Sequence, residues 1–251
     1  MIATFSKRQK EILEVLSEDW SISGAQISKQ FDVSQVTIRN DLDALAEKGL
    51  IIRTRGGAVP AIDQRILQRQ NQFIKEKNRI AKAATELIHD GDHIMVSAGT
   101  TTALIGKYLL EKQNLKIVTN SVLFLQYARI NVTLDITLVG GEYRPEAETL
   151  VGSIALRELE RFRVKTAFLG TDGFSLEHGM TAKMVETAEV VKQMSARSER
   201  SVFLADSSKF GRAGFAHIQP ITKASAIITD SNLTQDAKSL LEEKGLSVTL
   251  V

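Results

Sequence analysis

The stretch that decides the N-terminal fold is SQVTIRNDLDALAEK, residues 34–48. Its apolar side chains recur at helical spacing and form one stripe, which consists of Ile38, Leu42 and Leu45. At about 100° per residue, the side chains that point away from this stripe are those of Val36, Asn40 and Asp43. Ser34 is a favourable N-cap and Gly49 a favourable stop, so the sequence delimits the helix at both ends. Its outward face presents side chains able to hydrogen-bond base edges in DNA.

Two further helices are predicted before this one. Residues 6–17 carry apolar side chains at helical spacing and predict a first helix. Ser23 and Gln26 have the spacing of a capping box, which predicts a short second helix ending near Phe31. The turn at residues 32–34 then joins the second helix to the third, in the order of a helix-turn-helix.

A small hairpin is predicted after the third helix, over residues 50–59. Arg53 and Arg55 stand at alternate positions in it, so we expect both to point to one face. Such a wing suits a phosphate backbone or a minor groove. In the third helix, we expect Ser34 and Thr37 to anchor phosphates. The expected base readers are Gln35, Val36, Arg39 and Asn40, with Val36 against a thymine methyl.

These motifs resemble those of the DeoR-type bacterial transcriptional regulators. The similarity lies in Arg8, Ile12 and Leu16 at four-residue steps, in residues 34 and 37–42, and in the Arg-Gly-Gly-Ala of residues 55–58. The resemblance implies binding to double-stranded operator DNA. Asp41 faces neither DNA nor core squarely. We expect it to orient a neighbouring arginine, with Arg8 as the candidate, and an ordinary helix surface charge is the alternative.

Composition indicates a cytoplasmic globular protein. The 251 residues are 43% apolar and 25% charged, with no cysteine for disulfides or thiol chemistry. No basic-then-apolar leader and no membrane-length apolar run is present. The net charge is only +2, so DNA binding must depend on local placement of charge. Residues 61–82 carry a net charge of about +4, for which a solvated helix face is favoured over DNA contact.

The chain divides by pattern into a winged helix-turn-helix domain at residues 1–60, a linker at 61–75 and an α/β domain at 76–251. In the last of these, short apolar runs alternate with helical ones, which predicts a mainly parallel sheet covered by helices. The predicted strands are residues 94–96, 116–119, 135–139, 166–170, 201–205, 226–229 and 248–251. The predicted helices between them are residues 103–111, 122–129, 154–160, 184–196 and 235–244.

Small, polar or turn-forming residues follow five of these strands, and ligands of such sheets bind at the carboxyl ends of the strands. Residues 99–102 offer backbone N–H groups and hydroxyls before a helix, which predicts a phosphate cradle. Lys209 and Arg144 are candidate cations for the same anion, and Asn120, Asp172 and Glu186 are candidates for sugar hydroxyls. The full predicted effector site is Ser97, Ala98, Gly99, Thr100, Thr101, Thr102, Asn120, Gly141, Arg144, Asp172, Glu186 and Lys209.

The order of these motifs also resembles the sensor domain of DeoR-type regulators, whose fold is similar to ribose-5-phosphate isomerase. Two departures stand out. Ser97-Ala98 replaces the family's usual Asp-Ser before the Gly-Thr-Thr-Thr, and Met184 replaces the usual Asn or Asp. The loss of a carboxylate and an amide implies a different sugar, or weaker hydrogen bonding to one.

The favoured hypothesis is a repressor of a sugar-utilisation operon that a phosphorylated sugar effector releases from DNA. A sugar-phosphate isomerase-like enzyme carrying a winged helix is the alternative; it needs a general base, for which Asp172 or Glu186 beside Lys209 are candidates. An activator using the same residues is a third reading. Because one small winged domain binds too weakly, we predict a homo-oligomer, at least a dimer. The four histidines show no ligand spacing, so no metal and no cofactor is predicted.

Overall fold

The computed structural model describes residues 6–19, 21–60 and 64–251, and the chain forms two compact units divided between Arg69 and Gln70. Part of the predicted linker, residues 61–63, lies outside the described residues, as do residues 1–5 and 20 of the predicted N-terminal domain. The rest of that linker is mostly helical, because it contains a helix at Gln64–Asn71 and the start of another at Ile74.

The first unit contains the predicted helix-turn-helix and wing. Its elements are α1 (Lys7–Glu18), α2 (Gly24–Gln30), α3 (Gln35–Glu47), β1 (Ile51–Thr54) and β2 (Gly57–Pro60). The capping box is confirmed: the Ser23 hydroxyl accepts from the Gln26 amide at 3.3 Å, and the Gln26 side chain accepts from the Ser23 amide at 2.8 Å. The Ser34 hydroxyl caps α3 by accepting from the Thr37 amide at 3.1 Å.

One apolar core holds this unit together. The predicted stripe of α3 is buried in it, with Ile38, Leu42 and Leu45 at most 1% exposed. The core residues are Ile12, Leu16, Ile27, Ile38, Leu42, Leu45, Ile51 and Ala58. Burial of each large aliphatic side chain contributes about 1.5–3 kcal/mol, so the stripe fixes which face of α3 remains in solvent.

The two glycines of the wing are required for different reasons. Gly56 lies in the hairpin turn with φ +88°, a conformation that L-residues rarely adopt. At Gly57, a Cβ would lie 3.0 Å from the carbonyl oxygen of Ile22, because the wing pairs closely with the segment before α2. The Gly24 amide completes this pairing by donating to the Gly56 carbonyl at 2.7 Å.

The second unit is built on a parallel sheet. Helix α4 (Gln64–Asn71) spans the division, and α5 (Ile74–Glu86) follows it. The strands are β3 (His93–Val96), β4 (Lys116–Thr119), β5 (Asp135–Leu138), β6 (Glu142–Arg144), β7 (Thr149–Val151), β8 (Val164–Gly170), β9 (Gly173–Ser175), β10 (Gly179–Ala182), β11 (Ser198–Leu204), β12 (Ala216–Gln219), β13 (Ala226–Thr229) and β14 (Ser247–Leu250). Seven of them pair in the order β14-β13-β11-β8-β3-β4-β5, all parallel. These are the seven predicted strands, so the predicted α/β fold is confirmed.

Helices cover this sheet close to their predicted positions. They are α6 (Val122–Ala128), α7 (Gly152–Leu159), α8 (Val185–Ala196) and α9 (Gln235–Glu243). The helix predicted at residues 103–111 is instead a 3-10 helix at Thr102–Tyr108. Residue spacing does not distinguish the two types over so short a segment.

Five short strands were not predicted. Strands β6 and β7 form an antiparallel pair, and β9, β10 and β12 form a small antiparallel sheet. Each has only three or four residues, which is too short to show an alternating pattern.

The strand order reverses between β3 and β8. From β3 the chain continues to β4 and β5 on one side, whereas from β8 it continues to β11, β13 and β14 on the other. At such a reversal the connections after the two strands run to opposite sides, and ligands of open α/β sheets bind in the crevice outside the carboxyl ends of the strands at this point.

Within the described part of the chain, no helix combines the length and the apolar character needed to cross a lipid bilayer.

Candidate DNA-binding and effector sites

The outward face of α3 lies in solvent, as predicted. Gln35, Arg39, Asn40 and Asp43 are exposed, and Val36 is 67% exposed although it is apolar. Thr37 is half-buried, and its hydroxyl lies 2.9 Å from that of Ser34. An exposed valine among exposed polar side chains suits a surface that meets base edges and thymine methyl groups.

Asp41 binds Arg8, which confirms the first of the two expectations for this residue. The Arg8 Nε donates to Asp41 Oδ2 at 2.6 Å, and Gln9 donates to the other carboxylate oxygen at 3.4 Å. The hydrogen bond from Arg8 and the attraction between the two charges raise the pKa of Arg8. Because Asp41 is only 7% exposed, this ion pair links α1 to the inner flank of α3.

The wing differs from its prediction in one respect. Arg53 lies in β1, but Arg55 lies in the turn between the strands, so the two are not alternate residues of one strand. The Arg53 Nε pairs with Asp43 Oδ1 at 3.1 Å, which connects the wing to α3 and balances the only carboxylate among the outward residues of α3 named above. Arg55 is exposed at the tip of the wing.

We predict that Arg55→Ala weakens binding to specific and random duplexes by a similar factor, because we expect this arginine at the tip of the wing to contact phosphates, which carry no sequence information. The slope of log Kd against log salt should fall in magnitude by about 1. Fluorescence anisotropy over a salt series measures both. Arg163→Ala is the matched control, since it removes an exposed arginine from the second unit. A loss confined to the specific duplex would assign Arg55 to base reading instead.

Three residues of the predicted effector site hold the loops together. The Ser97 hydroxyl accepts from the Gly170 amide at 2.9 Å, across the crevice between β3 and β8. Asn120 accepts from the Ala98 amide at 2.8 Å and donates to the Thr149 hydroxyl at 2.7 Å. The Thr102 hydroxyl donates to the Ser97 carbonyl at 2.7 Å. The side chains of Ser97, Thr102 and Asn120 are at most 1% exposed, so they shape the loops.

Gly141 also has a structural role. A Cβ at this position would lie 2.5 Å from the Val151 carbonyl oxygen, so only glycine lets the loop after β5 pack on β7. The neighbouring Gly140 amide donates to a Glu158 carboxylate oxygen at 2.6 Å, which joins the same loop to α7.

The 99–102 loop is the part of the predicted site with unused hydrogen-bonding capacity. The backbone amides of Gly99, Thr100, Thr101 and Thr102 have no hydrogen-bond partner among the described residues. The hydroxyls of Thr100 and Thr101 have none there either, and both residues are less than 10% exposed. Four consecutive amides and two hydroxyls at one loop are therefore donors available to an anion.

Lys209 supplies a cation at the same edge of the sheet. It ends the short turn after β11, the strand next to β8. Its ammonium group has no ion-pair or hydrogen-bond partner within the described residues, unlike that of Lys165, which pairs with Asp92 at 3.2 Å.

Arg144 and Glu186 come together although they are 42 residues apart in the sequence. Arg144 Nη2 lies 3.2 Å from Glu186 Oε1 and 3.0 Å from Glu142 Oε2. The hydrogen bond that Arg144 donates to Glu186, which burial opposes, and the attraction of the neighbouring glutamates together raise the pKa of Arg144. A hydrogen bond from its own amide and one from Arg144 lower the pKa of Glu186, which keeps it a carboxylate.

Asp172 is held by the small antiparallel sheet. Its Oδ2 accepts from the Lys183 amide at 2.9 Å, and its own amide donates to the Thr181 carbonyl at 2.9 Å. Lys183 stands three residues before Glu186, which lies in the first turn of α8, so the loop that carries Asp172 is bound to the segment that leads into this helix. The 99–102 loop, Gly170 and Asp172 thus all lie at the carboxyl ends of β3 and β8.

Two buried aspartates at this edge were missed as site residues. Asp206 follows β11, is 3% exposed, and accepts from the Ser208 hydroxyl. Asp230 follows β13 and accepts from the Ser207 amide at 2.6 Å and the Ser207 hydroxyl at 2.9 Å. Burial raises the pKa of Asp230, but the hydrogen bonds from Ser207 and Asn232 outweigh it and lower the pKa. In the sequence, both aspartates follow a predicted apolar strand, and this pattern could have identified them as site residues.

A separate concavity of about 540 Å³ lies beside β9, β10 and β12. Its lining includes His178, Thr181, Phe215, His217 and Lys244, none of which was predicted as a site residue. Among the described residues, no group of three or more histidine, aspartate or glutamate side chains is placed to hold a metal ion.

These features define a transcriptional regulator with a winged helix-turn-helix and a separate α/β domain that has a donor-rich ligand edge. Comparison with known proteins gives the family. Residues 8–64 match the DeoR-like helix-turn-helix domain, and residues 72–231 match the DeoR C terminal sensor domain. The chain therefore belongs to the DeoR family of DNA-binding transcriptional regulators, as its motifs predicted, and it is not an enzyme.

Several relatives match over almost their whole length. The HTH-type transcriptional repressor GlcR of Bacillus subtilis (strain 168) is 33% identical, over 96% of this chain and 95% of that protein. The lactose phosphotransferase system repressor of Lactococcus lactis subsp. lactis is 33% identical, over 91% and 92%. The putative aga operon transcriptional repressor of Escherichia coli O157:H7 is 28% identical, over 98% and 94%.

Solved structures show a more distant resemblance. A D-ribose-5-phosphate isomerase in complex with phospho-erythronic acid matches 55% of this chain and 54% of its own, with a TM-score of 0.41 and 19% identity. The full-length sorbitol operon regulator SorC from Klebsiella pneumoniae matches 80% and 90%, with a TM-score of 0.36 and 12% identity.

Proposed function

We propose that this DeoR-family regulator represses a sugar-utilisation operon and is released from its operator by a phosphorylated sugar. The observation that carries the proposal is the 99–102 loop, whose four amides have no partner within the described residues and lie at the crevice between β3 and β8. Successive backbone amides without partners are donors for a phosphate, and we assign the ammonium group of Lys209, at the same edge of the sheet, to the same anion.

The sugar hydroxyls are assigned to the groups beyond this loop. Asp172 uses one carboxylate oxygen on Lys183 and keeps the other as an acceptor. The Arg144–Glu186 pair offers both donors and acceptors, and Arg144 is about one-third exposed. Ser97 in place of a carboxylate removes one acceptor from this set, which favours an effector different from that of family members with Asp at this position.

The names of the relatives agree with a repressor of sugar metabolism. Three similar proteins are a repressor named GlcR, an aga operon repressor and a lactose phosphotransferase system repressor. We extend the direction of control, repression, from these proteins to this chain. An activator would use the same surfaces, and in vitro transcription from an operator-bearing promoter distinguishes the two, since a repressor lowers the amount of transcript.

Release requires that the effector bind one arrangement of the protein better than the other. We propose a homo-oligomer, at least a dimer, whose two winged domains occupy two half-sites related by symmetry. An effector that favours a different arrangement of the second units then changes the spacing of the reading helices.

The proposal is tested by a thermal-shift screen of the full-length chain. The probes are glucose 6-phosphate, fructose 6-phosphate and ribose 5-phosphate, each set against its unphosphorylated parent. A ligand of the folded state raises the melting temperature by mass action, and a concentration of 100 times Kd adds about 2.7 kcal/mol. We expect a rise with one or more phosphates and none with the parents. Equal rises with a phosphate and its parent would exclude the phosphate cradle.

A further inference from the structure

The 99–102 loop leads directly into an unusual helix. Residues Thr102–Tyr108 form a 3-10 helix of seven residues, and runs longer than three or four residues are uncommon because the hydrogen-bond geometry is poorer than in an α-helix. The 3-10 helix rises about 2.0 Å per residue and the α-helix about 1.5 Å, so conversion to α-helix would shorten this segment by roughly 3 Å. A change in its pitch would therefore displace its far end.

That far end is hydrogen-bonded to the start of α5. The Tyr108 hydroxyl donates to Asn78 Oδ1 at 2.7 Å, and Lys107 Nζ donates to the same oxygen at 3.2 Å. The Asn78 Nδ2 donates to the Ile74 carbonyl at 2.7 Å. Two donors on one side and a carbonyl on the other fix the orientation of the amide. Burial raises the pKa of Tyr108, so its phenol stays protonated and able to donate.

Asn78 is hydrogen-bonded to the first turn of α5, which follows the DNA-binding domain and α4 in the chain. Ile74 is the first residue of α5 and follows Phe73, which has φ +55° and no side-chain cap bond. A non-glycine residue in this conformation interrupts the chain between α4 and α5 at a sharp bend. Gly106, in the middle of the 3-10 helix, packs on the backbone of α6, where a Cβ would lie 3.0 Å from the Ala128 amide nitrogen. Gly106 therefore has no side chain that would lock the 3-10 helix against α6 at this contact.

We propose that Tyr108 and Asn78 transmit effector binding from the 99–102 loop to the first turn of α5, through a change in pitch of the Thr102–Tyr108 helix. This proposal rests on the proposed function, because it takes the 99–102 loop as the phosphate site. Both are positioning residues: neither belongs to the effector site or to the DNA-reading face.

The test uses the full-length chain with Tyr108→Phe, Asn78→Asp and the double variant. Tyr108→Phe removes only the donor hydroxyl. Asn78→Asp still accepts from Tyr108 and Lys107 but no longer donates to Ile74. Tyr127→Phe is the matched control, since it removes a hydroxyl on α6 that accepts from Gln70 at 3.4 Å. The probes are glucose 6-phosphate, fructose 6-phosphate and ribose 5-phosphate, and the DNA is a duplex selected from a random library by the wild-type chain.

Two readouts separate binding from transmission. Amide hydrogen exchange reports protection of residues 99–102 and of the first turn of α5, and anisotropy reports the fold-change in operator affinity. In wild type and Tyr127→Phe, we expect a phosphate to change exchange in both segments and to release the operator. In the single variants, the phosphate should still protect residues 99–102 but should no longer change exchange in α5. The factor by which the phosphate weakens operator binding should fall by about threefold to tenfold. The double variant should show no further loss.

Each other outcome overturns the proposal. Single variants that release the operator as wild type does would overturn the Tyr108–Asn78 path and leave the proposed function intact. A loss of the same size in Tyr127→Phe would also overturn that specific path. No protection of residues 99–102 in wild type with any of the three phosphates would overturn the proposed function, and this inference with it.

Discussion

Arg39→Ala is expected to lower affinity for the specific operator by about 1–3 kcal/mol and to relax discrimination at one or two base pairs, while random duplexes lose much less. We expect this effect because of where the Arg39 side chain lies on α3. Ile38 and Leu42 are buried, and this places the Arg39 side chain on the exposed face of α3 beside Val36 and Asn40. A guanidinium in a major groove recognises guanine through two parallel hydrogen bonds, and their loss changes specificity as well as affinity.

Arg39→Lys is the matched variant for this prediction. It keeps the charge and therefore the salt dependence of binding, but lysine lacks the planar fork needed for paired hydrogen bonds. We expect Arg39→Lys to lose much of the discrimination while retaining affinity for random DNA. Anisotropy titrations on the operator and on duplexes with single base-pair changes measure both. If Arg39→Ala keeps the operator preference of wild type, the assigned orientation of α3 on DNA is wrong.

Lys209→Ala is expected to preserve operator binding without effector and to abolish release at effector concentrations that fully release wild type. A hydrogen bond to a charged group contributes about 1.5–3 kcal/mol, so the concentration needed for release should rise by roughly 10-fold to 150-fold. Thr100→Ala should act in the same direction with a smaller effect, because it removes a neutral hydroxyl and leaves the amides of the 99–102 loop in place.

Lys223→Ala provides the control for Lys209→Ala. Lys223 is an exposed lysine of the same unit, and its replacement changes the net charge equally. Effector titrations of operator-bound protein, followed by anisotropy, compare the variants directly. Release of Lys209→Ala at the wild-type effector concentration would remove this residue from the site.

The sequence predicted the seven strands of the main sheet because each is a short apolar run bounded by turn residues. The pairing order could not be predicted in the same way, since it depends on which helices cover which face. The short strands β6, β7, β9, β10 and β12 contain too few residues to produce a pattern. They matter for the site, because β6 carries Arg144 and β10 holds the loop with Asp172.

In the candidate effector site, a polar residue that follows a strand is not always a ligand contact. Ser97, Thr102 and Asn120 were predicted as ligand contacts because polar residues follow buried strands. The same property lets them join one loop to another, and the structure uses them in this way. Polarity and position do not distinguish a residue that binds a ligand from one that shapes the loop around it.

Long-range ion pairs were predictable only where one partner lacked a simple role. Asp41 lies on the flank of an amphipathic helix, facing neither core nor DNA, and Arg8 proved to be its partner at 2.6 Å. The pairing of Arg144 with Glu186 had no such signal, because both residues were assigned independently to an effector. Arg53 was assigned to DNA, and its pairing with Asp43 depends on the hairpin returning over α3.

The most direct test of the central claim is the operator affinity of the full-length chain with and without each sugar phosphate. Typical allosteric coupling changes affinity by about 5-fold to 150-fold. We predict a weakening within this range for at least one of glucose 6-phosphate, fructose 6-phosphate and ribose 5-phosphate, and unchanged affinity with the unphosphorylated parents. Affinity that is unchanged by all three phosphates, or weakened equally by a phosphate and its parent, would contradict release by a phosphorylated sugar at the 99–102 loop.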